Sequence, residues 1–513
     1  NPFCDQWIKG TFCCKNEKKT VDGFYDGDGA YKVRFMPSFT DEYTFEIEAS
    51  FDINAGEELP NEEALEHKRG IADGGKNAEK CAVRNMLTGS FTVTPPSADN
   101  HGPVRVAGTY YLAYEDGTPY HCIGTTCYVW NLQNEELQKQ TLKTLEENAF
   151  NKIRFCIFPK HYDYNLHEPI TYPYEGTPCD SSVLNENNFA EYNGCAPGND
   201  WDFTRFNPAH FQHIEKCIQA LMNLGIEADL IVMHPYDRWG FSMMKAEDDD
   251  RYWKYVLARF SAYRNVWWSL ANEYDLMHEK TLSDWERYAG IICEKDPYHH
   301  LRSIHNCKAY YDYNLPWITH CSVQRTETYR SSELVNEWRE KYHKPVILDE
   351  ICYEGNIQFG WGNISGEEMT RRFWEAFCRG GYPGHGETYL SPDRILWWSH
   401  GGVLHGTSPD RIRFLAKIME ETPGLGVEPM PCKWDEVACR AAGFPARKDY
   451  FIYYYSFMRP GFRDFYFDDT TEYQVEIIDT WEMTVTDGGI HKGKFRVKLP
   501  GKEYMAVRLQ IAK

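Results

Sequence analysis

The most constraining feature of this 513-residue sequence is a central segment in which apolar runs of strand length alternate with amphipathic helical patterns. Helical spacing is clearest between residues 211 and 221, where apolar side chains recur every three or four positions. Strands that alternate with helices in this way predict a parallel sheet covered by helices. The predicted strands are residues 120–124, 153–158, 230–233, 266–270, 301–304, 318–323, 346–348 and 395–398.

The number of predicted strands and the length of the segment indicate a closed barrel. Eight strand–helix units within about 320 residues match the size of a (β/α)₈ barrel with some long loops. The flanking segments show the alternation of half-buried strands without helical patterns, as in residues 43–51. We therefore predict an α/β protein whose TIM barrel (residues 104–425) lies between an N-terminal β-sandwich (1–103) and a C-terminal β-sandwich (426–513). Residues 54–80 are polar and are predicted to form a long loop or insertion.

Charge and composition narrow the class of partner. A formal net charge of −21 disfavours nucleic acid and anionic membrane surfaces, which such a protein repels at long range. Aromatic residues make up 15% of the chain. Most of them are expected in aromatic cores, although flat rings also pack against the C–H faces of sugars. The predicted partner is a neutral oligosaccharide or glycoside, with no nucleic acid and no membrane; a homo-oligomer is left open.

The seventeen cysteines are odd in number and lack the spacing of zinc sites. Several lie inside apolar strands, where cysteine behaves as a small hydrophobic residue. Reduced thiols in a cytoplasmic protein are therefore predicted. The histidines at 299, 300 and 305 do not have a zinc-type arrangement either. No metal and no organic cofactor is expected.

Two of the predicted strands stop at a glutamate: residues 266–271 lead to Asn272-Glu273, and residues 346–349 lead to Glu350. In a barrel, the carboxyl ends of all strands meet at one rim, where active sites of this fold lie. Hydrolysis of a glycosidic bond usually needs two carboxyl groups that face each other across the bond. The alternative is structural: Glu273 caps the following helix and Glu350 pairs with an arginine. Strand alternation points Asp349 away from Glu350, so Asp349 is expected to be structural.

The central segment resembles the clan A glycoside hydrolases, which carry Asn-Glu on strand four and a second glutamate on strand seven. The whole chain is similar to bacterial three-domain proteins of the β-glycosidase or β-galactosidase type. The sequence shares with them residues 23–29 (GFYDGDG), 100–103 (NHGP), 349–356 (DEICYEGN), 385–389 (HGETY) and 397–402 (WWSHGG). The resemblance implies a retaining, exo-acting β-glycosidase.

The same resemblance implies individual roles. Glu273 would be the acid/base catalyst and Glu350 the nucleophile, while Asn272 would bond the sugar 2-hydroxyl. Arg154 matches an arginine beneath the nucleophile, and Trp397 or Trp398 matches an aromatic platform under the sugar. Strand six departs from the clan pattern Ser-x-His-x-Tyr, because Gln324 and Thr326 replace histidine and tyrosine. The partner of the nucleophile is therefore unassigned, with Tyr329 as a guess and Gln324 as a substrate contact instead.

Three further polar residues near predicted strand ends are candidate substrate contacts. His234 and His305 end the third and fifth strands, although each would serve equally well as a structural hydrogen bonder. Glu387, close to His385, would bind two hydroxyls of a terminal sugar if its loop folds over the pocket; a loop salt bridge is the alternative. Two other functions are retained as alternatives: an endo-acting polysaccharide hydrolase and a non-catalytic carbohydrate-binding barrel.

Overall fold

The computed structural model describes residues 1–53, 79–80 and 85–512. Most of the predicted polar insertion at 54–80 therefore lies outside the described residues. Within these ranges, no helix is both long enough and apolar enough to cross a membrane.

The N-terminal region is built from antiparallel strands, as its alternating sequence predicts. Five strands form one sheet in the order β2-β1-β5-β7-β6, and β3–β4 and β8–β9 form two separate hairpins. The predicted strand at 43–51 is confirmed as β5. The strands are β1 (Ile8–Cys13), β2 (Lys18–Asp22), β3 (Phe24–Gly27), β4 (Ala30–Lys32), β5 (Glu42–Ala49), β6 (Glu79–Lys80), β7 (Met86–Thr92), β8 (Val104–Ala107) and β9 (Tyr111–Tyr114).

The segment around the β3–β4 hairpin is joined to the barrel helices by ion pairs. Arg34 contacts Glu215, and the guanidinium of Arg259 lies 2.6 Å from Asp26 and 2.8 Å from Glu215. Both arginines also lie over the ring of Phe24. Charged groups that are buried in pairs and stacked on an aromatic ring give the interface a defined orientation.

The centre of the chain forms the predicted parallel barrel. The eight strands pair in the order β16-β15-β14-β11-β10-β20-β18-β17, and a parallel bridge between His305 and Ser322 joins the two ends of this series. Their side chains are almost all buried, which explains the apolar runs in β14, β15 and β18. The barrel strands are β10 (Gly124–Thr126), β11 (Lys152–Cys156), β14 (Glu227–Met233), β15 (Val266–Ala271), β16 (Arg302–Ser303), β17 (Cys321–Gln324), β18 (Val346–Glu350) and β20 (Tyr382–His385).

The helices cover the barrel, and their ends follow local capping chemistry. Asn134 accepts from the backbone N–H of Leu137, and Thr281 with Asp284 forms a reciprocal capping box. The helices are α1 (Glu135–Glu146), α2 (Pro208–Asn223), α3 (Ala246–Phe260), α4 (Leu282–Lys295), α5 (Val335–Tyr342), α6 (Gly366–Cys378), α7 (Trp397–His400) and α8 (Ser408–Glu420). Short strands lie in the loops at the rim: β12 (Tyr174–Thr177), β13 (Asp200–Phe206), β19 (Glu354–Gly355) and β21 (Glu387–Thr388).

The prediction for strand eight was wrong. The eighth strand is β20, whereas residues 395–398 lead into the short helix α7. Strand β20 was not recognised in the sequence because it contains Pro383 and Gly384, and both residue types are disfavoured within strands. Gly384 is nevertheless required: a Cβ there would lie 2.8 Å from the carbonyl oxygen of Leu348 on the neighbouring strand.

The C-terminal region contains two antiparallel sheets, of six strands (β22-β23-β24-β29-β26-β27) and two strands (β25-β28). Phe451 and Leu509 of the large sheet share a core with Phe465 and Val497 of the small sheet. Residues 487–489 form a bulge within β27, where glycine tolerates the irregular register. The strands are β22 (Val427–Pro429), β23 (Val437–Ala441), β24 (Tyr450–Tyr454), β25 (Phe462–Tyr466), β26 (Tyr473–Asp479), β27 (Thr484–His491), β28 (Lys494–Lys498) and β29 (Met505–Ile511).

Candidate active site

Glu273 and Glu350 lie at the carboxyl ends of barrel strands four and seven. Glu273 follows β15 and has a left-handed backbone conformation (φ 50°), whereas Glu350 is the last residue of β18. Their side chains are largely buried, with 5% and 6% exposure. The two carboxyl groups belong to one polar network, which runs through His305 and Gln324.

Glu350 is surrounded by donors that favour its ionised form. Oε1 accepts from the Tyr128 hydroxyl and lies 3.2 Å both from a guanidinium nitrogen of Arg154 and from His305 Nε2. Burial by itself would raise the pKa of this carboxyl. The contacts with His305, Arg154 and Tyr128 outweigh burial, so the pKa of Glu350 is lowered.

Glu273 has a different environment. Its two oxygens accept from the Tyr236 hydroxyl and, at 2.9 Å, from Gln324 Nε2. Burial is the largest influence on its pKa, followed by the nearby charge of Glu350, and both raise it. The two glutamates are therefore shifted in opposite directions, one toward the ionised state and the other toward the protonated state.

His305 and Gln324 connect the two glutamates. His305 Nε2 lies 3.2 Å from Gln324 Oε1 as well as from Glu350, and Gln324 donates to Glu273. Ser322 contacts His305 Nδ1 at 3.0 Å and donates to Asp349 at 2.5 Å. The structure thus brings both predicted residues into the site.

Arg154 and Asn272 form the base of the site. One guanidinium nitrogen of Arg154 contacts Glu350, and the other donates to Asn272 Oδ1 at 2.9 Å. Asp349 faces the barrel interior, where its Oδ1 accepts from Lys152 at 2.7 Å, and Lys152 also donates to Asp229 at 2.7 Å. Lys152 and Arg154 outweigh burial and lower the pKa of Asp349. Asp349 is therefore paired with Lys152 beneath the site.

One side of the site consists of aromatic rings around a lysine. The ammonium nitrogen of Lys160, a side chain that is 3% exposed, lies 3.5 Å from the ring centre of Tyr128, 4.2 Å from Tyr236 and 4.5 Å from Trp398. Tyr162 packs against Tyr236 and Trp398. Burial lowers the pKa of Lys160 to about 8. We call these four rings, Tyr128, Tyr162, Tyr236 and Trp398, the aromatic wall.

Three predicted contacts have other surroundings. Trp397 is in the core and donates to Thr125 Oγ1 at 2.9 Å. His234 lies 3.3 Å from the carbonyl oxygen of Phe158, and burial lowers its pKa to about 3. Both oxygens of Glu387 accept backbone N–H groups, from His405 at 2.6 Å and Gly406 at 2.8 Å, and burial raises its pKa to about 8.

Tyr128, Tyr236 and Lys160 were missed from the sequence. All three follow barrel strands by two to four residues, on β10, β14 and β11 respectively. Their position just after a barrel strand was therefore the one sequence signal that could have identified them as site residues. Tyr329, the residue guessed to contact the nucleophile, is 81% exposed, and Tyr128 makes that contact instead.

Comparison with known proteins agrees with this arrangement. A family model described as the apiosidase-like catalytic domain matches residues 107–413, which is more than half of the chain. The chain belongs to the apiosidase-like family. Two models described as domains of unknown function (DUF5060 and DUF5605) match residues 1–50 and 434–510 of this family member. The comparison with curated proteins finds no match.

Solved structures extend the likeness of this apiosidase-like protein to its whole length. A suspected glycoside hydrolase from Bacteroides vulgatus ATCC 8482 is 37% identical, with a TM-score of 0.85 over 100% of this chain and 96% of that chain. A glycoside hydrolase family 5 structure from the same organism shares the fold at 16% identity, with a TM-score of 0.60 over 80% of this chain and 93% of that chain. The protein is thus a glycoside hydrolase of the clan A barrel type.

Proposed function

We propose that the protein is a retaining, exo-acting β-glycosidase with Glu350 as nucleophile and Glu273 as acid/base catalyst. The observation that carries this proposal is the opposite shift of the two carboxyl pKa values. A retaining glycosidase needs one ionised carboxylate to attack and one carboxylic acid to donate a proton. A barrel that merely binds sugars has no need for this difference, which argues against the non-catalytic alternative.

In the first step, a carboxylate oxygen of Glu350 forms a bond to the anomeric carbon as the glycosidic C–O bond breaks. Glu273 gives its proton to the departing oxygen, so the aglycone leaves as a neutral alcohol. In the second step, the ionised Glu273 takes a proton from water. The resulting oxygen attacks the anomeric carbon and releases Glu350 as a carboxylate. Each step inverts the anomeric centre, so the configuration is retained overall.

The surrounding residues suit this mechanism. Arg154 and His305 stabilise the carboxylate that must be ionised at the start and the end of the cycle. Asn272 accepts from Arg154 through Oδ1, which leaves its amide N–H₂ to donate to a sugar 2-hydroxyl. That hydrogen bond would strengthen as positive charge develops at the anomeric carbon.

The aromatic wall supports exo action on a neutral sugar. Trp398 also packs against Tyr353 and Trp361, so segments after strands one, two, three, seven and eight converge on one side of the site. Such a wall suits a terminal sugar that is packed against flat rings. A β-galactoside is the proposed substrate, and the family's apiosidase-like description makes a β-apioside the first other sugar to test.

The proposal is tested by assaying the purified chain against aryl β-glycosides, including galactoside, glucoside, xyloside, fucoside, arabinoside and apioside. Glu350→Ala and Glu273→Ala are assayed beside Glu340→Ala, a matched change of an exposed glutamate on α5. Azide is then added as a small external nucleophile. We expect an α-glycosyl azide from the Glu350 variant and a β-glycosyl azide from the Glu273 variant, because azide replaces a different group in each case.

Turnover of one glycoside that is lost in Glu350→Ala but kept in Glu340→Ala would support the assignment and identify the sugar. NMR of the first-formed product should show the β-anomer. An α-anomer as first product, or full activity of Glu350→Ala, would disprove the retaining mechanism through Glu350. If all the aryl glycosides are inert while a polysaccharide is cut internally, the endo-acting alternative replaces the exo proposal.

A further inference from the structure

A second cluster of buried chemical groups lies outside the catalytic network, where the segments after strands seven and eight meet. It consists of Glu354 on β19, His385 at the end of β20 and Glu387 on β21, each at most 1% exposed. One ligand atom from each residue lies within 4.8 Å of the other two. The catalytic mechanism uses none of these side chains.

The two carboxyl groups are adjacent because β19 and β21 pair in parallel with Glu354 opposite Glu387. Like charges directly opposite each other in a sheet are destabilising, and burial makes this worse. In the described ranges, the donors to the two carboxylates are backbone N–H groups and hydroxyls, and none of them is a lysine or arginine. A positive charge between them is therefore missing from the side chains of the cluster.

His385 supplies the third, independent observation. Its Nδ1 lies 3.2 Å from Thr125 Oγ1, and its ring stacks on Phe150. Its Nε2 is buried without a hydrogen-bond partner among the described residues, and one of its two ring nitrogens lies within 4.8 Å of an oxygen of each carboxylate. Unpaired buried nitrogens are rare in native proteins and need an explanation.

The positions of the three groups are fixed by their surroundings. The backbone N–H groups of Thr407 and Ser408, at the start of α8, donate to Glu354 at 2.7 and 3.0 Å. Those of His405 and Gly406 donate to Glu387. A Cβ at Gly406 would lie 2.5 Å from Glu354 Oε2 and 2.6 Å from Glu387 Oε2. The loop thus passes so close to both carboxylates that only glycine fits.

We propose that Glu354, His385 and Glu387 bind one divalent first-row transition-metal ion such as Mn²⁺ or Zn²⁺. Two carboxylates and a neutral imidazole balance the charge of the ion and match the ligands these metals take. Metal–ligand bonds of about 2.1 Å place two ligands of one ion at most ~4.2 Å apart, so slight inward movement completes the site. Thr125 and the backbone donors hold the ligands as outer partners do in metal sites.

The ion would join β19, β20 and β21, and the carboxylates that bind it also accept from the backbone of residues 405–408, just before and at the start of α8. The residues between Glu387 and Gly406 include Trp398 of the aromatic wall. A metal bound to Glu387, which also accepts from the backbone N–H of Gly406, would fix both ends of this segment and so the position of Trp398. Metal binding at this cluster, and its effect on stability, would not depend on which glycoside is hydrolysed.

The test uses the purified full chain after treatment with a chelator, titrated with Mn²⁺ alone while the EPR signal of free aqueous Mn²⁺ is recorded. Mn²⁺ is chosen because it binds thiols weakly, and the chain has many free cysteines. Two variants remove a ligand with little change of shape. Glu387→Gln removes the charge, and His385→Phe keeps a ring against Phe150. Glu340→Gln is the matched control on the surface.

We expect one bound Mn²⁺ per chain for the wild type and the control, and at least tenfold weaker binding for both ligand variants. Mn²⁺ should raise the melting temperature of the wild type and the control but not that of the variants. Failure of the wild type to bind millimolar Mn²⁺ would overturn the proposal. The alternative is that Glu354 and Glu387 share a proton instead of binding a metal, and in that case the melting temperature of Glu387→Gln would be no lower than that of the wild type. Equal binding by wild type and variants would place the ion elsewhere and overturn it too.

Discussion

Tyr128 donates its hydroxyl to the carboxylate of Glu350, from a loop that follows the first barrel strand rather than from strand six. The same hydroxyl lies 3.2 Å from Asn272 Oδ1, and its ring lies against the ammonium of Lys160. Tyr128 therefore contacts the proposed nucleophile and Asn272, the neighbour of the proposed acid. It also contacts Lys160, which is the only cation that the described contacts place over the rings of the aromatic wall.

Removal of this hydroxyl should weaken catalysis without unfolding the protein. Tyr128→Phe deletes a hydrogen bond to a charged acceptor, which is worth about 1.5–3 kcal/mol, or roughly ten- to a hundredfold in kcat/KM. Because the bond favours the ionised form, the pKa of Glu350 should rise and the acid limb of the pH profile should move to higher pH. Tyr329→Phe is the control, since its side chain is exposed. Equal effects of the two changes would contradict the role of Tyr128.

The pH dependence of the wild type should be bell-shaped in kcat/KM. The enzyme is active when Glu350 is ionised, above its lowered pKa, and when Glu273 is protonated, below its raised pKa. Activity should therefore fall in acid as Glu350 gains a proton and fall in alkali as Glu273 loses one. Glu273→Gln should abolish the alkaline limb.

The same variant separates the two halves of the reaction. For an alkyl aglycone, which needs a proton to leave, loss of Glu273 should reduce kcat/KM by about 10²–10⁴-fold. For a dinitrophenyl aglycone, which leaves without a proton, the reduction should be small. A reduction of the same size for both aglycones would mean that Glu273 is not the acid.

The sequence predicts an element correctly where its hydrophobic pattern comes from burial within a barrel strand. Val266–Ala271 and Val346–Glu350 are continuous apolar strands, and each lies where periodicity places it. Tyr382–His385 was missed because close packing between strands demanded glycine. Residues 395–398 were misassigned because most of their side chains are buried, as in a strand, although the residues lie outside the sheet. An apolar pattern records burial, and burial at the rim has the same pattern as burial in a strand.

The site divides in the same way. Glu273, Glu350, Arg154, His305 and Gln324 belong to strands or follow them directly, so strand order alone brings them together. Lys160 and Tyr236 reach the site from loops whose path no periodicity encodes. The cluster of Glu354, His385 and Glu387 depends on two short rim strands, and the sequence showed only its individual members.

Lys160 should set the alkaline limit of activity. Its positive charge favours the ionised form of Glu273 and so lowers the pKa of that carboxyl, against the larger effect of burial. Lys160→Met removes the charge while keeping an apolar chain among the rings. The pKa of Glu273 should then rise, and the alkaline limb should move to higher pH. Lys139→Met, at an exposed lysine on α1, serves as the control. An unchanged alkaline limb in Lys160→Met would exclude electrostatic coupling between the two groups.

Lys152 should be a main source of stability for the barrel interior. Its ammonium lies 2.7 Å from both Asp229 and Asp349, and all three side chains are buried. Lys152→Met removes the closer of the two cations that face these carboxylates, Arg154 being 3.8–3.9 Å away, which costs about 3–5 kcal/mol and lowers the melting temperature by roughly 10 °C at neutral pH. Lys139→Met removes an exposed ion pair on α1 and should change the melting temperature little.

The effect of Lys152→Met should also depend on pH. The folded-state pKa of Asp349 is lowered below its ordinary value of 3.8, so the ion pair contributes fully at neutral pH. Its contribution is lost as pH falls through that lowered pKa. In the variant, Arg154 is the remaining cation near the two carboxyl groups, so they gain protons at higher pH than in the wild type, which relieves their repulsion. The difference in melting temperature between wild type and Lys152→Met should therefore narrow from pH 7 toward pH 4. A difference that widens in acid would show that Lys152 stabilises the barrel by packing rather than by charge.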